Sequence, residues 1–598
     1  MPTLTATDSL LLLLYFFFVL AVGISLKSLI SSSEEFFQGG RALSAWLCGL
    51  AMVTASLGSQ EFLGISAAGV RYGFASIPFY LLGAVPAALF AGLFLVPIYY
   101  RSKARTIPEF LAFRFDHKTR VLNACLFAVM SIFSTGISLY AMARVFAALH
   151  IFEEPLRATG LGPQATVMVT MAVPALLVLA YVLLGGLTAT IYNLTIQFFV
   201  MVAGLLPVVF LGLKQIGGWN GLKTASASAA FVQQGHAGIS RFALAAAVGV
   251  IFSAGTWCAD FRVLQAPMAA RDADAARMAL VIAAAARTVM PFLLILPAIA
   301  ALAMPTPRTT IVIHNENGAI YHDITVVPPE EEAGQGLAPA KLDAATGKPL
   351  KDADGRTVLD GELAAPNVLA HFLPTGLLGL GIAALLAAMM SGAATGLTAF
   401  GTVFTCDLYE PITRKDPGSA KSVVVARCAM AGAMLLAFGV ACAAMRFNSL
   451  LDGMVLLFAV VNMPLLAALL LGAFWKRTTA TGAFSGLIAG AIAALAHHGL
   501  ALPRGQQRGI HGGWIAVLHH PASELQFAAG TAAIAFIFSL AVAAAVSAFT
   551  APQTEPEVAG LVRSSSPAVK TGVERWARPE TLAIAILLAA VVACAVFV

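Results

Sequence analysis

Long apolar stretches separated by short polar segments set the pattern of this chain. Measured against the roughly 20 apolar residues a helix needs to cross a bilayer, they predict about fourteen spans. These lie near residues 8–29, 43–70, 74–100, 121–149, 165–185, 187–213, 241–266, 278–304, 374–405, 423–445, 449–474, 479–500, 524–548 and 579–597. Two of them carry small and polar residues where a plain span would stay apolar: Val53-Thr54-Ala55-Ser56-Leu57-Gly58-Ser59-Gln60-Glu61 and Ser253-Ala254-Gly255-Thr256-Trp257-Cys258-Ala259-Asp260. Freed backbone groups and a carboxylate are tolerated inside a bilayer only where they face protein or a wet cavity. Interruptions at matching places in two halves of a chain mark the binding sites of secondary transporters.

Composition agrees. Of 598 residues, 59% are hydrophobic and 11% charged, against about 25% charged in soluble proteins, so the expected class is an all-α polytopic membrane protein embedded in a lipid bilayer. The net charge of +6 is scattered at span ends, which is no footprint for nucleic acid. The seven cysteines show no metal spacing or disulfide pattern and read as small buried hydrophobes. The first apolar run lacks a basic leader and a cleavage site, so it reads as a retained span.

Basic residues crowd alternate connections: Arg101, Lys103, Arg105, Arg114, Lys118 and Arg120; then Arg262, Arg271 and Arg277; then Arg414, Lys415, Lys421 and Arg427; then Lys476 and Arg477; then Arg563, Lys570, Arg575 and Arg578. Placing these in the cytoplasm puts both termini outside, in a multi-pass protein of the cell (inner) membrane, with the polar stretch 305–372 on the outer side. Thr310–His314 and Ile320–Val327 flank a Gly-containing turn and predict a hairpin. The acidic, Gly- and Pro-containing remainder reads as a passive, loosely ordered insertion rather than a cap.

Several motifs carry a resemblance. Ser31-Ser32-Ser33-Glu34-Glu35-Phe36-Phe37-Gln38-Gly39-Gly40-Arg41, Thr106-Ile107-Pro108-Glu109-Phe110-Leu111, Pro374-Thr375-Gly376-Leu377-Leu378-Gly379-Leu380, Ala383–Ser391, Phe404–Tyr409 and Gly472–Thr479 run in order and resemble the sodium:solute symporter family, nearest its sugar-type members. The resemblance spans roughly residues 8–500 and implies a five-plus-five inverted-repeat core with broken helices. Residues 1–42 would form a leading transmembrane helix and cytoplasmic linker, 43–213 the first repeat, 241–474 the second with its insertion 305–372, and 475–598 peripheral helices.

It also implies a sodium site made by the carbonyls of Thr54, Leu57 and Ala388 and the hydroxyl of Ser391; the alternative is that Ser391 only bonds the carbonyl one turn back, as many intramembrane serines do. The chain departs from the family where a second hydroxyl is usual, at Gly392, and where an aspartate is usual, at Leu194; Thr395 or a water is a substitute ligand. Solute contacts carried over by position are Ser56, Gln60, Glu61, Tyr80, Asp260 and Phe261, with Ile65 and Phe79 as an outer lid. Ser56, Glu61, Tyr80 and Phe261 replace the polar groups of sugar carriers, which argues against a hexose.

Glu61 is an intramembrane carboxylate: a contact for solute or proton, or half of a structural ion pair. Arg287 lies deep in the eighth span, either as the partner of Glu61, as an anchor for an anionic group, or snorkelling; Arg144, near a span end, reads as snorkelling. No catalytic constellation or Walker motif is present, and His511, His519 and His520 suit at most adventitious metal. The expected function is cation-coupled, sodium-driven symport of a small polar or charged solute by alternating access, with sodium as the coupling ion and no cofactor. The rivals are a proton-coupled carrier or exchanger of the same fold, and a non-transporting solute sensor.

Overall fold

The computed structural model describes residues 5–28, 32–148, 163–227, 241–304, 311–316, 319–324, 336–342, 348–351, 355–413, 420–444, 450–504, 506, 508–509, 511–521, 524–554, 560–562 and 578–597. Among them, eleven helices are long and apolar enough to cross a membrane, and two more, Ala45–Ser56 and Gly249–Ala259, are apolar but shorter. The chain is a multi-pass helical membrane protein. The two short helices are those whose sequences carried the polar interruptions.

In chain order the helices are α1 (Ala6–Lys27), α2 (Ala45–Ser56), α3 (Ser59–Tyr72), α4 (Ser76–Phe90), α5 (Ile107–Arg114), α6 (His117–Ala148), α7 (Pro163–Gln215), α8 (Arg241–Ala259), α9 (Phe261–Met268) and α10 (Ala273–Ala303). The hairpin strands β1 (Ile311–Glu316) and β2 (Ala319–Ile324) follow, then α11 (Ala364–Phe372), α12 (Leu377–Val403), α13 (Ala420–Ala444), α14 (Leu450–Phe474), α15 (Ala480–Leu500), α16 (Glu524–Phe549) and α17 (Pro579–Phe597). Straight, the 53 residues of α7 would reach about 80 Å, far beyond a hydrocarbon layer of about 30 Å. The chain instead turns at Gly186 (φ 52°, ψ −144°), between the predicted spans 165–185 and 187–213. A side chain there would also meet the Phe36 carbonyl, which lies 2.6 Å from where its Cβ would sit.

Helix α12 is the axis. Almost every residue from Leu378 to Val403 is buried, and α12 packs against α1, α6, α7 and α13. Small residues permit this: Gly204 of α7 lies against Ala384 and the Leu380 carbonyl. Not all cysteines are buried as expected; Cys125 and Cys428 sit on outward faces of α6 and α13.

The hairpin pairs antiparallel from Ile311↔Ile324 to Glu316↔Ala319; Thr310, Thr325, Val326, Val327 and the acidic run after them lie outside the described residues. The later part of the insertion departs from the expected loose loop. Leu337 N donates to Ala301 O at 2.8 Å, Ser66 Oγ to Gly361 O at 3.1 Å and Asn367 Nδ2 to Leu337 O at 3.0 Å. Arg144 does not snorkel; it pairs with Asp360 at 2.6 Å and with Glu362. Two carboxylates outcompete water for a half-buried guanidinium, and they fasten this segment over α3 and α6.

Candidate functional site

The first break falls where the sequence is smallest. Leu57 (φ −95°, ψ 35°) and Gly58 (φ −55°, ψ 166°) leave the helical region between α2 and α3. The hydroxyls just before it bond back into their own turn, Thr54 Oγ1 to Leu50 O at 3.0 Å and Ser56 Oγ to Val53 O at 2.7 Å. The Thr54 carbonyl points across to α12, where Ser391 Oγ lies 3.0 Å from it and 2.7 Å from Ala388 O. Three oxygens from two helices thus meet at a fully buried point, with Leu57 beside them at the break. Thr395 Oγ1 is turned to its own helix, donating to Ser391 O at 2.9 Å and Gly392 O at 3.1 Å. Gly58 and Gly392 face each other: a Cβ on Gly58 would stand 3.1 Å from Gly392 Cα. Leu194 is buried and brings no charge.

The second break is at Asp260 (φ −74°, ψ 111°), whose Oδ1 accepts from Arg262 N at 2.9 Å and caps α9. Both its oxygens are held by the Arg262 guanidinium, at 3.1 and 2.6 Å, and Asn462 Nδ2 stands 3.4 Å away. Arg262 also bonds Ser134 of α6. It therefore belongs to the interior rather than to a basic loop. From α9, Gln265 Nε2 donates to Thr395 O at 3.3 Å. Both broken helices thus rest on α12 one turn apart, α2 at Ser391 and α9 at Thr395.

Glu61, in the first turn of α3, pairs with Arg287 at the middle of α10. The arginine is 2% exposed and the glutamate 29%, so the guanidinium is buried behind a carboxylate that stays partly accessible. Arg287 also reaches Ser56 Oγ at 3.4 Å, and its Nε has no partner. Of the remaining predicted residues, Ile65 is buried and Tyr80 nearly so. Phe79 meets Tyr80 edge-on with ring centres 4.8 Å apart. Phe261 is buried, 6.0 Å from the Phe127 ring. Gln60 lies in α3, and its side chain is outside the described residues.

A second polar centre escaped the sequence reading. Thr106 Oγ1 caps α5 through Glu109 N at 3.0 Å and donates to Asp407 at 2.7 Å. Arg120 holds Asp407 at 2.7 Å and Glu109 at 3.4 Å, while Arg105 spans Glu109 at 2.9 Å and Glu410 at 2.8 Å. Burial works against the charge of Arg105, but Cys406, Glu109 and Glu410 outweigh it and its pKa rises. The motif around Pro108 thus fixes the helical turns, residues 404–413, that continue α12 past Val403. Among the described residues no three His, Cys, Asp or Glu side chains are placed to hold a metal; His519 and His520 line a cavity with His497.

A sequence model of the sodium:solute symporter family matches residues 36–329 and 333–490. The sodium/glucose cotransporter of Vibrio parahaemolyticus is 27% identical over 502 residues, covering 81% of this chain and 84% of that protein. The sodium/myo-inositol cotransporter 2 of Mus musculus is 25% identical over 514 residues, covering 82% and 69%. In fold, the chain is similar to a Na+-coupled sialic acid symporter solved in a substrate-bound, outward-open state, with a TM-score of 0.68 at 18% identity, covering 92% of this chain and 98% of that one.

Proposed function

Because the chain belongs to the sodium:solute symporter family, and is therefore a sodium-coupled symporter of a solute, we propose that its ion binds where the two breaks meet α12. The ligands are the carbonyls of Thr54, Leu57 and Ala388 and the hydroxyl of Ser391. The single observation that carries this is the position of Ser391 Oγ, 3.0 Å from the Thr54 carbonyl and 2.7 Å from that of Ala388. Uncharged hard oxygens suit a small monovalent cation; the Ser391 hydroxyl, which here donates to Ala388 O of its own helix, would turn its lone pairs to the ion. Thr54 and Ser391 sit on different helices, so the set exists only while α2 and α12 are in register. An ion that prefers that arrangement shifts the balance of outward and inward forms, which is all that coupling requires.

The solute, small and polar or charged, binds beside the ion among Ser56, Gln60, Glu61, Tyr80, Asp260 and Phe261, under a lid of Ile65 and Phe79. Arg287 holds one edge of the Glu61 carboxylate, and the 29% of that side chain left exposed is free for solute. The replacements at 56, 61, 80 and 261 favour a solute other than a hexose. The repeats are residues 43–213 and 241–474, with 475–598 peripheral and both termini on the outer face of the cell membrane. The chain is a carrier, not an enzyme.

The test is thermal unfolding of the purified protein in sodium chloride and in potassium chloride at equal ionic strength. A ligand of the folded form raises its melting point, so sodium should stabilise the parent, and Ser391→Ala should raise the half-saturating sodium about tenfold or more. Equal melting in both salts would overturn the site. A panel of polyols, carboxylates and amines, added at saturating sodium, then identifies the solute class.

A further inference from the structure

Helix α1 precedes the first repeat and turns most of its surface outward: Leu10, Leu13, Leu14, Phe17 and Phe18 are all exposed. Its inner seam is narrow, made of Asp8, Leu12, Tyr15, Val19 and Gly23. Two of those five are polar. Asp8 is fully buried, and no Arg, Lys or His pairs with it among the described residues. A carboxylate shielded from water at the start of a span, with no cation beside it, needs hydrogen-bond donors.

Two of them stand at the start of α12. Asp8 Oδ1 accepts from Gly376 N at 2.8 Å and from Gly379 N at 2.7 Å, while its Oδ2 is bonded by Thr5 Oγ1 at 2.6 Å and Thr5 N at 3.2 Å. The carboxylate of one helix thus caps the positive end of another, 368 residues further along the chain. Both glycines are explained by this docking. Gly376 adopts φ 87°, which turns its N–H toward Asp8. A Cβ on Gly379 would stand 2.7 Å from Asp8 Cα, so any other residue would push α1 away. The seam makes its second polar contact at the residue just before the proposed sodium ligand Ser391: Tyr15 Oη lies 3.8 Å from Met390 Sδ and accepts from Gln197 Nε2 of α7 at 3.4 Å.

We propose that α1 is a working part of the ion site: Asp8 and Tyr15 are positioning residues that hold α12 at its start and beside Ser391, keeping the Ser391 hydroxyl against the Thr54 carbonyl. This rests on the sodium site proposed above. It also gives the Pro374–Leu380 motif a purpose that neither ion nor solute contact supplies.

The experiment measures the half-saturating sodium concentration from melting curves of the full-length protein titrated with sodium chloride against potassium chloride. Asp8→Ala, Tyr15→Phe and Gly379→Ala should each raise it about three- to tenfold, with the maximal stabilisation at saturating sodium retained. Asp8→Asn, which keeps an acceptor for Gly376 N and Gly379 N, should recover part of the loss. Leu13→Ala, on the exposed face, should leave sodium dependence at the parent value. Unchanged half-saturation in Tyr15→Phe and Gly379→Ala would overturn the proposal, as would a uniform fall in melting temperature with the sodium dependence intact. Ser391→Ala separates the two readings. If it alters sodium dependence and the α1 variants do not, only the positioning role fails; if it too has no effect, the ion site itself is wrong.

Discussion

Glu61→Gln and Arg287→Met remove opposite halves of one ion pair, and the structure makes their consequences unequal. Without its carboxylate partner, Arg287 keeps a guanidinium that is 2% exposed, with Ser56 Oγ 3.4 Å away and Nε already unbonded. Stranding a buried charge costs about 3–5 kcal/mol. Without Arg287, Glu61 keeps a side chain that is 29% exposed, which water can reach, and the loss should be about 1–2 kcal/mol. The double variant removes both charges and should return to within about 1 kcal/mol of the parent. Denaturant unfolding of the detergent-solubilised protein, run on all four forms, measures the cycle. Glu61→Gln should also change which solutes raise the melting point. The reasoning fails if Arg287→Met is as damaging as Glu61→Gln, or if the double variant is worse than either single one.

Arg114→Lys should cost about 2–4 kcal/mol in the same assay, because the guanidinium spreads its donors over the carbonyls of Gly472 (2.8 Å), Thr478 (3.2 Å) and Trp475 (3.3 Å), a fork that one ammonium cannot cover; a loss below about 0.5 kcal/mol would contradict this. Burial pulls that guanidinium down to about 10. The folded chain would therefore hold fewer protons than the unfolded one only above about pH 10, and this group should leave stability flat from pH 6 to 9. Arg144→Ala should release the segment fastened by Asp360 and Glu362, and trypsin cleavage at Lys341, Lys351 and Arg356 should quicken about tenfold or more; an unchanged rate would mean that other contacts hold it.

What was legible in the chain was local. Apolar runs of span length, Gly58 and Asp260 at the interruptions, and the turn between 185 and 187 all act through the conformation of their own neighbours. Glu61 and Arg287 each stood out as charges in apolar surroundings, and the structure joins them. The misreadings share one cause. Arg262 was grouped with loop residues because it follows a long apolar run, yet the helix breaks two residues earlier and folds it back onto Asp260. Arg144 near a span end resembles any snorkelling arginine until Asp360 and Glu362, more than 200 residues away, are brought over it. Asp8 gives no signal in the sequence at all, since nothing near it records that it serves α12. Pairings between distant segments depend on how helices assemble, which periodicity does not encode.

At the crossing of α2 and α12 two glycines meet with no side chain between them. A side chain at Gly58 would press on Gly392 Cα and stand the helices further apart. Bare backbone at this crossing lets the Thr54 carbonyl come within 3.0 Å of the Ser391 hydroxyl. With nothing interlocked there, the joint can open like two smooth rods parting, as the release proposed for the cation would need.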